Sequence, residues 1–400
     1  MSWQMWCIGF WSLLAASQLA GASEPAPRQV RFTTYNIEIL SAEKLKRVDA
    51  EGRGNHPQLL KAAEIIQRVR PDVLLINEID YDGPDESSGL EARTDDAATR
   101  FYNLYLKVEH HGQAGLDFPH RFYRPSNTGV PTGKDLDNDG KTTGPADAYG
   151  FGNYPGQYGL ALYSRFPIVA SAARTFRKLR WTEMPGNLMP DGTGGKPAFY
   201  APDEVAVFRL SSKSHWDVPI EIGNRQIHIL AAHPTPPIFD GPEDSNGRRN
   251  FDEIRLWADY IAGGDRAQYI RDDEGRTGGL PQEAEFVILG DLNSDPVRGD
   301  APYGKMAIRQ LLDLPQVHDP KPQSMGSQRS PHVVATTDYL PFRTSNFGRL
   351  DYCLPSRGLE VRESQVFWPT PDDPLHALVA GTNPASDHYL VWADLVLPNR

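Results

Sequence analysis

Cysteine is nearly absent from this chain. Of 400 residues only Cys7 and Cys353 are cysteine, and Cys7 lies in an N-terminal apolar segment that reads as removable. Cys353 is then alone, so no intrachain disulfide can form. Nothing around it marks an activated thiol, and it reads as a small buried strand residue rather than a nucleophile. A surplus of positive charge is missing too. Lys and Arg number 41 against 52 Asp and Glu, a net charge of −11. Proteins that live on DNA usually offer a basic face to its phosphates. An acidic chain repels a polyanion unless metal ions supply the positive charge, so nucleic acid is disfavoured as a partner, whereas a small phosphorylated substrate is not. Long apolar runs are also missing. Residues 6–16 form an apolar stretch near the N-terminus. It is shorter than the ~18–20 residues of a membrane span and suits the core of a signal peptide. Ala20-Gly21-Ala22 follows as a small-x-small cleavage site, although no Lys or Arg precedes the core. Residues 1–22 are therefore expected to be a signal peptide, and the protein secreted or periplasmic. No integral membrane contact is expected from the remainder, and nothing implies a protein partner. Repeats, heptads, a phosphate-cradling Gly-x-x-x-x-Gly-Lys-Ser/Thr loop and a Ser-based acyl-enzyme motif are not evident, which favours hydrolysis by water.

Glycine (35) and proline (34) are plentiful and predict many turns and long loops. Length alone suggests two or three domains. No interdomain linker stands out, however. The Gly/Pro-rich stretches at 112–157 and 185–202 lie between strands of similar character, as loop insertions in one domain (28–398) would. Strands are expected at 29–40, 72–77, 158–163, 204–210, 225–232, 284–289, 349–354 and 389–396, and helices at 57–70, 250–261 and 301–312. Residues 101–108 fit a strand or a short helix. Several strands are continuous apolar runs, the sign of burial on both faces.

Polar residues recur at the ends of these strands, where α/β enzymes place their chemistry. Glu78 follows Val-Leu-Leu-Ile-Asn. Asp291 and Asn293 follow Phe-Val-Ile-Leu-Gly. Asp351 sits inside an apolar strand, Asp387 and His388 precede Tyr-Leu-Val-Trp, and Asn36 lies inside the first strand. Burying a bare carboxylate is expensive unless it is paired, hydrogen-bonded or on a metal. Four such acids with few basic neighbours suggest cations, and oxygen donors favour hard ions such as Mg²⁺, Mn²⁺ or Ca²⁺. Taken singly, each residue has a plainer explanation: a turn or cap for an aspartate, a bulge for Asn36, a salt bridge for Asp351, a satisfied side chain for His388, a loop histidine for His233. Their order and phrasing carry the weight.

That order resembles the endonuclease/exonuclease/phosphatase superfamily, the DNase I-like fold. The matching phrases are Thr-Tyr-Asn-Ile (34–37), Pro-Asp-Val-Leu-Leu-Ile-Asn-Glu (71–78), Gly-Leu-Ala-Leu-Tyr-Ser-Arg-Phe-Pro-Ile (159–168), Ala-Ala-His-Pro (231–234), Val-Ile-Leu-Gly-Asp-Leu-Asn (287–293), Arg-Leu-Asp-Tyr (349–352) and Ser-Asp-His (386–388). The resemblance implies a four-layer α/β/β/α sandwich of two mixed sheets flanked by helices. It implies a metal site at Asn36 and Glu78, with Glu78 the direct ligand and Asp387 a metal-proximal carboxylate. Asp291 and Asn293 resemble the pair that positions the attacking water and the phosphate. His388 resembles the histidine that contacts the scissile phosphate and moves a proton, and Asp351 its orienting partner. His233 resembles the second histidine of the DNase I and sphingomyelinase branches. Mg²⁺ or Mn²⁺ is the implied cofactor.

Two further features are candidates. Asp135, Asp137 and Asp139, followed by Gly140, begin like a calcium loop; position twelve is Ala146 rather than Glu, and an acidic solvated turn is the alternative. Arg248, Arg249 and Asn250 are candidates for contact with substrate phosphate, with helix capping and surface arginines as the alternative. Tyr158 and Gln157 are candidate lining residues. The sequence thus points to a secreted, metal-dependent phosphoester hydrolase using activated water. Within that class, an extracellular nuclease and a small-molecule or lipid-headgroup phosphoesterase stay open, the acidic balance favouring the latter. A non-catalytic binding module on the same fold is the alternative of a different class.

Overall fold

Residues 73–79 alternate no polar with apolar positions, and the reason is that the strand they form is covered on both faces. In the computed structural model, which describes residues 1, 28–299, 301, 304–329 and 341–397, this strand (β2, Val73–Ile79) is one of eleven among the described residues. The signal segment expected at 1–22 lies, Met1 apart, outside them.

Six strands form one sheet: β1 (Arg28–Leu40), β2, β3 (His120–Phe122), β4 (Gly159–Ser164), β10 (Glu360–Val366) and β11 (Val391–Leu397), in the order β10-β11-β1-β2-β4-β3. The other five form the second: β5 (Arg174–Thr175), β6 (His215–Ile222), β7 (Arg225–Ala232), β8 (Glu285–Asp291) and β9 (Asp351–Pro355), in numerical order. Each sheet contains one parallel pair, β1 with β2 and β7 with β8, and is otherwise antiparallel. A helix makes each parallel crossover. Pro57–Val69 joins β1 to β2, and Ser245–Ala262 joins β7 to β8.

The sheets pack face to face with a helix outside each. Val287 and Leu289 of β8 join the core shared with β1 and the Pro57–Val69 helix. Their neighbours Phe286 and Ile288 join a second core with Ile254, Trp257 and Ala258 of the Ser245–Ala262 helix. Period-two alternation sends successive side chains to opposite layers. Contacts across the sheets include Phe122 edge-on to Trp216 at 5.2 Å and the Cys353 thiol 3.7 Å from the Phe32 carbonyl. Burial pushes that thiol well above its ordinary range. No helix among the described residues is long and apolar enough to cross a membrane.

Two sequence expectations need correction. Residues 204–210 do not form a strand. Pro202–Val205 is a short helix, begun by Pro202 in its first turn and capped by Glu204, whose carboxylate accepts from the Ala201 N–H at 2.7 Å. The strand there is β6, hidden because Pro219 argues against a ladder position. β5 pairs only with Trp216 and Asp217, and at Pro219 the edge is met by a short loop segment, the Val169 N–H donating to the Pro219 carbonyl at 2.9 Å. The helix expected over 301–312 is regular only at Arg309–Leu312 among the described residues. Of the two forms expected at 101–108 the helical one holds, Ala97–Phe101 continuing into a wider turn at Tyr102–Leu106.

Candidate active site

The topology gathers both parallel pairs' carboxyl ends at one place. Asn36 and Glu78 lie at the ends of β1 and β2, and His233 and Asp291 at the ends of β7 and β8. β9 and β11 run antiparallel to their neighbours, so they deliver Asp351 and the Asp387-His388 pair from their starts. One amide joins the sheets: Asn36 Nδ2 donates to Glu78 Oε1 and to Asp291 Oδ2, both at 3.1 Å.

Local backbone explains how these side chains turn inward. Glu38, Ile39, Glu78, Tyr158 and Asn293 all have positive φ, between 35° and 67°. Such strain in non-glycine residues concentrates where the surrounding structure holds it for function. At Glu78 the ladder to β4 shifts register, and the carboxylate turns back to accept from the Ile39 N–H at 2.9 Å. Gly290 is needed for a different reason: a Cβ there would stand 1.9 Å from the Ala232 carbonyl oxygen, so only glycine lets β8 reach Asp291 beside β7. Ser386 fastens the Ser-Asp-His turn to β1. Its hydroxyl donates to the Asn36 carbonyl at 2.7 Å and accepts from the His388 N–H at 3.1 Å.

The titratable groups of the site form a chain. His388 Nδ1 donates to Asp351 Oδ2 at 2.8 Å, which fixes the tautomer and aims Nε2 at Asp291 Oδ2, 3.7 Å away. His233 Nε2 approaches the same oxygen at 3.4 Å, and the Asn293 N–H donates to Asp291 Oδ1 at 2.9 Å. Burial opposes charge on His388, but Asp351 and Asp291 outweigh it and hold the imidazole well above its ordinary range. Burial, then Lys213 and His388, hold His233 well below that range. Burial pushes Asp291 up to about 6 against the pull of His388. Burial also raises Glu78, opposed by the Ile39 N–H and Asn36.

Two residues of this site escape sequence reasoning. Thr344 donates to Asp351 Oδ2 at 2.7 Å and accepts from the Leu350 and Asp351 N–H groups, both at 2.9 Å. Lys213, buried just before β6, faces Glu253, Glu78 and Asp291, and burial lowers its pKa. Their signals are slight: a hydroxyl at a turn, and a lysine between serines.

The donor set fits a hard divalent cation at Glu78 and Asp291. Two carboxylates share one amide there, and among the described residues no Lys or Arg lies within ion-pair distance of Glu78. Asp387, part-exposed with its Oδ1 4.0 Å from His388 Nε2, stands at the mouth. Asp291, Asp351 and His388 also bring ligand atoms within 4.8 Å of one another. His388 and Asp351 are already hydrogen-bonded to each other, so that trio reads as a hydrogen-bonded relay rather than a cage. Asp135, Asp137 and Asp139 converge similarly, but their loop is open to solvent. The carboxylates accept from the loop's own N–H groups at Asp139, Gly140 and Lys141, and the Lys141 amine pairs with Asp139 at 3.0 Å.

The candidate substrate-side residues divide. Tyr158 adjoins Glu78 and Asp80, whose charges raise its pKa after burial does. Gln157 is buried and accepts from Asn153. The arginines are not brought to the cleft. Arg249 is buried, donates to the Leu210, Tyr149 and Arg209 carbonyls and lies over Phe208. Arg248 folds back on the Glu243 carbonyl at 3.0 Å. Asn250 is interior as well, bonded to the Thr235, Leu292 and Asn293 carbonyls.

The sequence pattern described as the Endonuclease/Exonuclease/phosphatase family matches residues 33–388. No curated protein sequence matches the chain. Its structure is similar to an endonuclease/exonuclease/phosphatase from Beutenbergia cavernae DSM 12333, at 17% identity and TM-score 0.50, over 93% of this chain and 72% of that one. It is also similar to an endonuclease/exonuclease/phosphatase family protein from Leptotrichia buccalis C-1013-b (14% identity, TM-score 0.47, 92% of this chain and 99% of that one). A third similar structure is the human Nocturnin catalytic domain (14% identity, TM-score 0.44, 94% and 95%). The first of these likenesses speaks for the fold alone, while the match over residues 33–388 settles membership: the chain belongs to the endonuclease/exonuclease/phosphatase family.

Proposed function

We propose that this protein is an exported, divalent-metal-dependent phosphoester hydrolase in which Asp291 activates the attacking water. The observation that carries the reading is the Asp291 carboxylate, shared among Asn36, a neutral His233 and a charged His388. Titratable neighbours whose pKa values are pushed apart mark acid and base roles. Asp291, with a pKa near 6, is the anion at neutral pH and accepts the proton of the water. His388 keeps its Nε2 proton for a phosphate oxygen or the departing alkoxide, with Asp351 holding its tautomer. Asn36 and Asn293 orient the carboxylate, and neutral His233 donates to it from the other side. A divalent cation held by Glu78 beside Asp291 supplies charge relief for the phosphate oxygens.

Small or lipid-headgroup phosphoesters suit the net charge of −11 better than a polyanion does. Export rests on the composition of residues 1–22. The test is a panel with Mg²⁺ or Mn²⁺, with and without EDTA, against bis-p-nitrophenyl phosphate, DNA, RNA, sphingomyelin, inositol phosphates and nucleotide monoesters. Turnover that EDTA abolishes supports the reading. Turnover indifferent to EDTA overturns the metal. Saturable binding without turnover, unchanged in His388→Ala, would make the protein a binding module.

A further inference from the structure

The segments that carry His233 and Asn293 leave their strands and lose their ladder partners, so their backbone groups must be satisfied elsewhere. One turn of the Ser245–Ala262 helix does this. Asn250 Nδ2 donates to the Thr235 carbonyl at 2.8 Å, the Leu292 carbonyl at 3.1 Å and the Asn293 carbonyl at 3.4 Å. Glu253, three residues on and on the same face, accepts from the Thr235 N–H at 2.6 Å through Oε2 and from the Ser212 N–H at 2.7 Å through Oε1. Thr235, two residues after His233, therefore has both its backbone groups captured by one helix. Asn250 and Glu253 are both essentially fully buried, at 1% and 0% exposure, so neither can reach substrate from these positions. The two captured loops are also tied to each other, through Asn293 Nδ2 and the Pro234 carbonyl at 3.1 Å.

We infer that Asn250 and Glu253 are a positioning pair that sets the spacing between His233 and the Asp291-Asn293 segment for hydrolysis. Neither is a catalytic residue. The pair acts through the loops it grips, and does so from the crossover helix that the fold already requires between β7 and β8. The inference rests on the hydrolytic reading for its kinetic consequence, but its structural consequence is separate. A buried carboxylate on the same helix supplies the control: Asp252 faces away from the site, accepting from the Trp181 indole N–H and the Leu188 N–H, both at 2.6 Å.

The experiment compares Asn250→Ala, Glu253→Gln and Asp252→Asn in the full chain, with Asn250→Ser as the milder substitute if the alanine variant fails to fold. Three readouts are taken: thermal midpoint, kcat and KM on bis-p-nitrophenyl phosphate with Mn²⁺, and the imidazole ¹H–¹⁵N spectrum. All variants are expected to lose thermal stability. Asn250→Ala and Glu253→Gln are expected to lose kcat by ~10–100-fold at temperatures well below the midpoint, with KM little changed, as misplacement of about 1 Å would produce. The His233 resonances should move while those of His376, whose ring is bonded to the Pro369 carbonyl, stay. Asp252→Asn should keep wild-type kcat and His233 resonances despite its lower midpoint. If Asn250→Ala and Glu253→Gln leave His233 and kcat as in wild type, or if Asp252→Asn shifts both equally, the pair only stabilises the fold and the inference is overturned. If the wild type hydrolyses nothing in the panel, the hydrolytic reading fails, and the His233 spectrum still decides whether the pair positions the loop.

Discussion

His233 and His388 point their Nε2 atoms at one oxygen of Asp291, at 3.4 and 3.7 Å, and yet they hold opposite charge states. The difference lies behind each ring. His388 has Asp351 on Nδ1 at 2.8 Å. His233 Nδ1 is buried with no hydrogen-bond partner among the described residues, and Lys213 adds repulsion. One carboxylate thus separates a charged imidazole from a neutral one across a few ångströms.

The charge split assigns the proton donor. His388→Ala is expected to lower kcat/KM by about 10²–10⁴-fold, the usual range for general acid–base groups. The loss should be largest for substrates with a poor, alkoxide leaving group and should shrink for p-nitrophenyl esters, whose leaving group needs no proton. A series of phosphodiesters graded by leaving-group pKa measures this. Equal losses across the series would mean that His388 only contacts the phosphate.

Glu78 and Asp351 should separate metal binding from proton handling. Glu78→Gln removes an anion that, among the described residues, has no Lys or Arg within ion-pair distance, so Mn²⁺ affinity should fall by more than the ~10–100-fold that losing an outer-sphere partner costs. Asp351→Asn should keep Mn²⁺ affinity near wild type while lowering kcat by about 10²–10⁴-fold through the wrong His388 tautomer. Isothermal titration of each variant with Mn²⁺, beside its kinetics, checks both. A parallel loss of affinity in Asp351→Asn would place the cation in the Asp291-Asp351-His388 trio instead.

Much of this was legible in the sequence because strands buried on both faces leave continuous apolar runs. A polar residue ending one such run, as Glu78 or Asp291 does, can be a turn or a cap, but several ending successive runs in this order mark a site. What escaped depends on partners far along the chain. Thr344 matters through Asp351, and Glu253 through Ser212, and neither pairing leaves a periodic trace. Asn250 and Arg249 sit side by side in a polar helix start, which resembles a surface cap. Only the packed fold reveals that both point inward to carbonyls. β6 was obscured by Pro219, whose missing N–H is tolerated where β5 ends early.

Gly290 should tolerate no side chain. An added Cβ would meet the Ala232 carbonyl at 1.9 Å, so the β7–β8 ladder must part beside Asp291. Gly290→Ala is expected to cost about 1–3 kcal/mol, the range for overpacking a tight interior, and to reduce kcat as well because Asp291 moves with the strand. Gly358→Ala is the control, since a Cβ there meets nothing within 4 Å. Denaturant midpoints and kcat of the two variants test this, and a Gly290→Ala protein with wild-type values on both counts would contradict it.

The buried ring of His215 predicts how stability falls in acid. Its Nε2 lies 3.0 Å from the Glu253 carbonyl and its Nδ1 2.8 Å from the Ser211 hydroxyl. A carbonyl can only accept, so Nε2 carries the proton, Nδ1 accepts from the serine, and the neutral ring is fully satisfied. Burial lowers its pKa from 6.5 to about 4. The folded state therefore resists a proton that the unfolded chain takes up readily. Its contribution is fully present above pH 6.5 and is lost progressively as pH falls from 6.5 to about 4. A gap of that size is worth about 3 kcal/mol at most. His215→Asn should be less stable than wild type at pH 8, yet its thermal midpoint should fall less between pH 7 and pH 5. Midpoints of both proteins across that interval decide the matter: parallel curves would show that His215 does not set the acid limit.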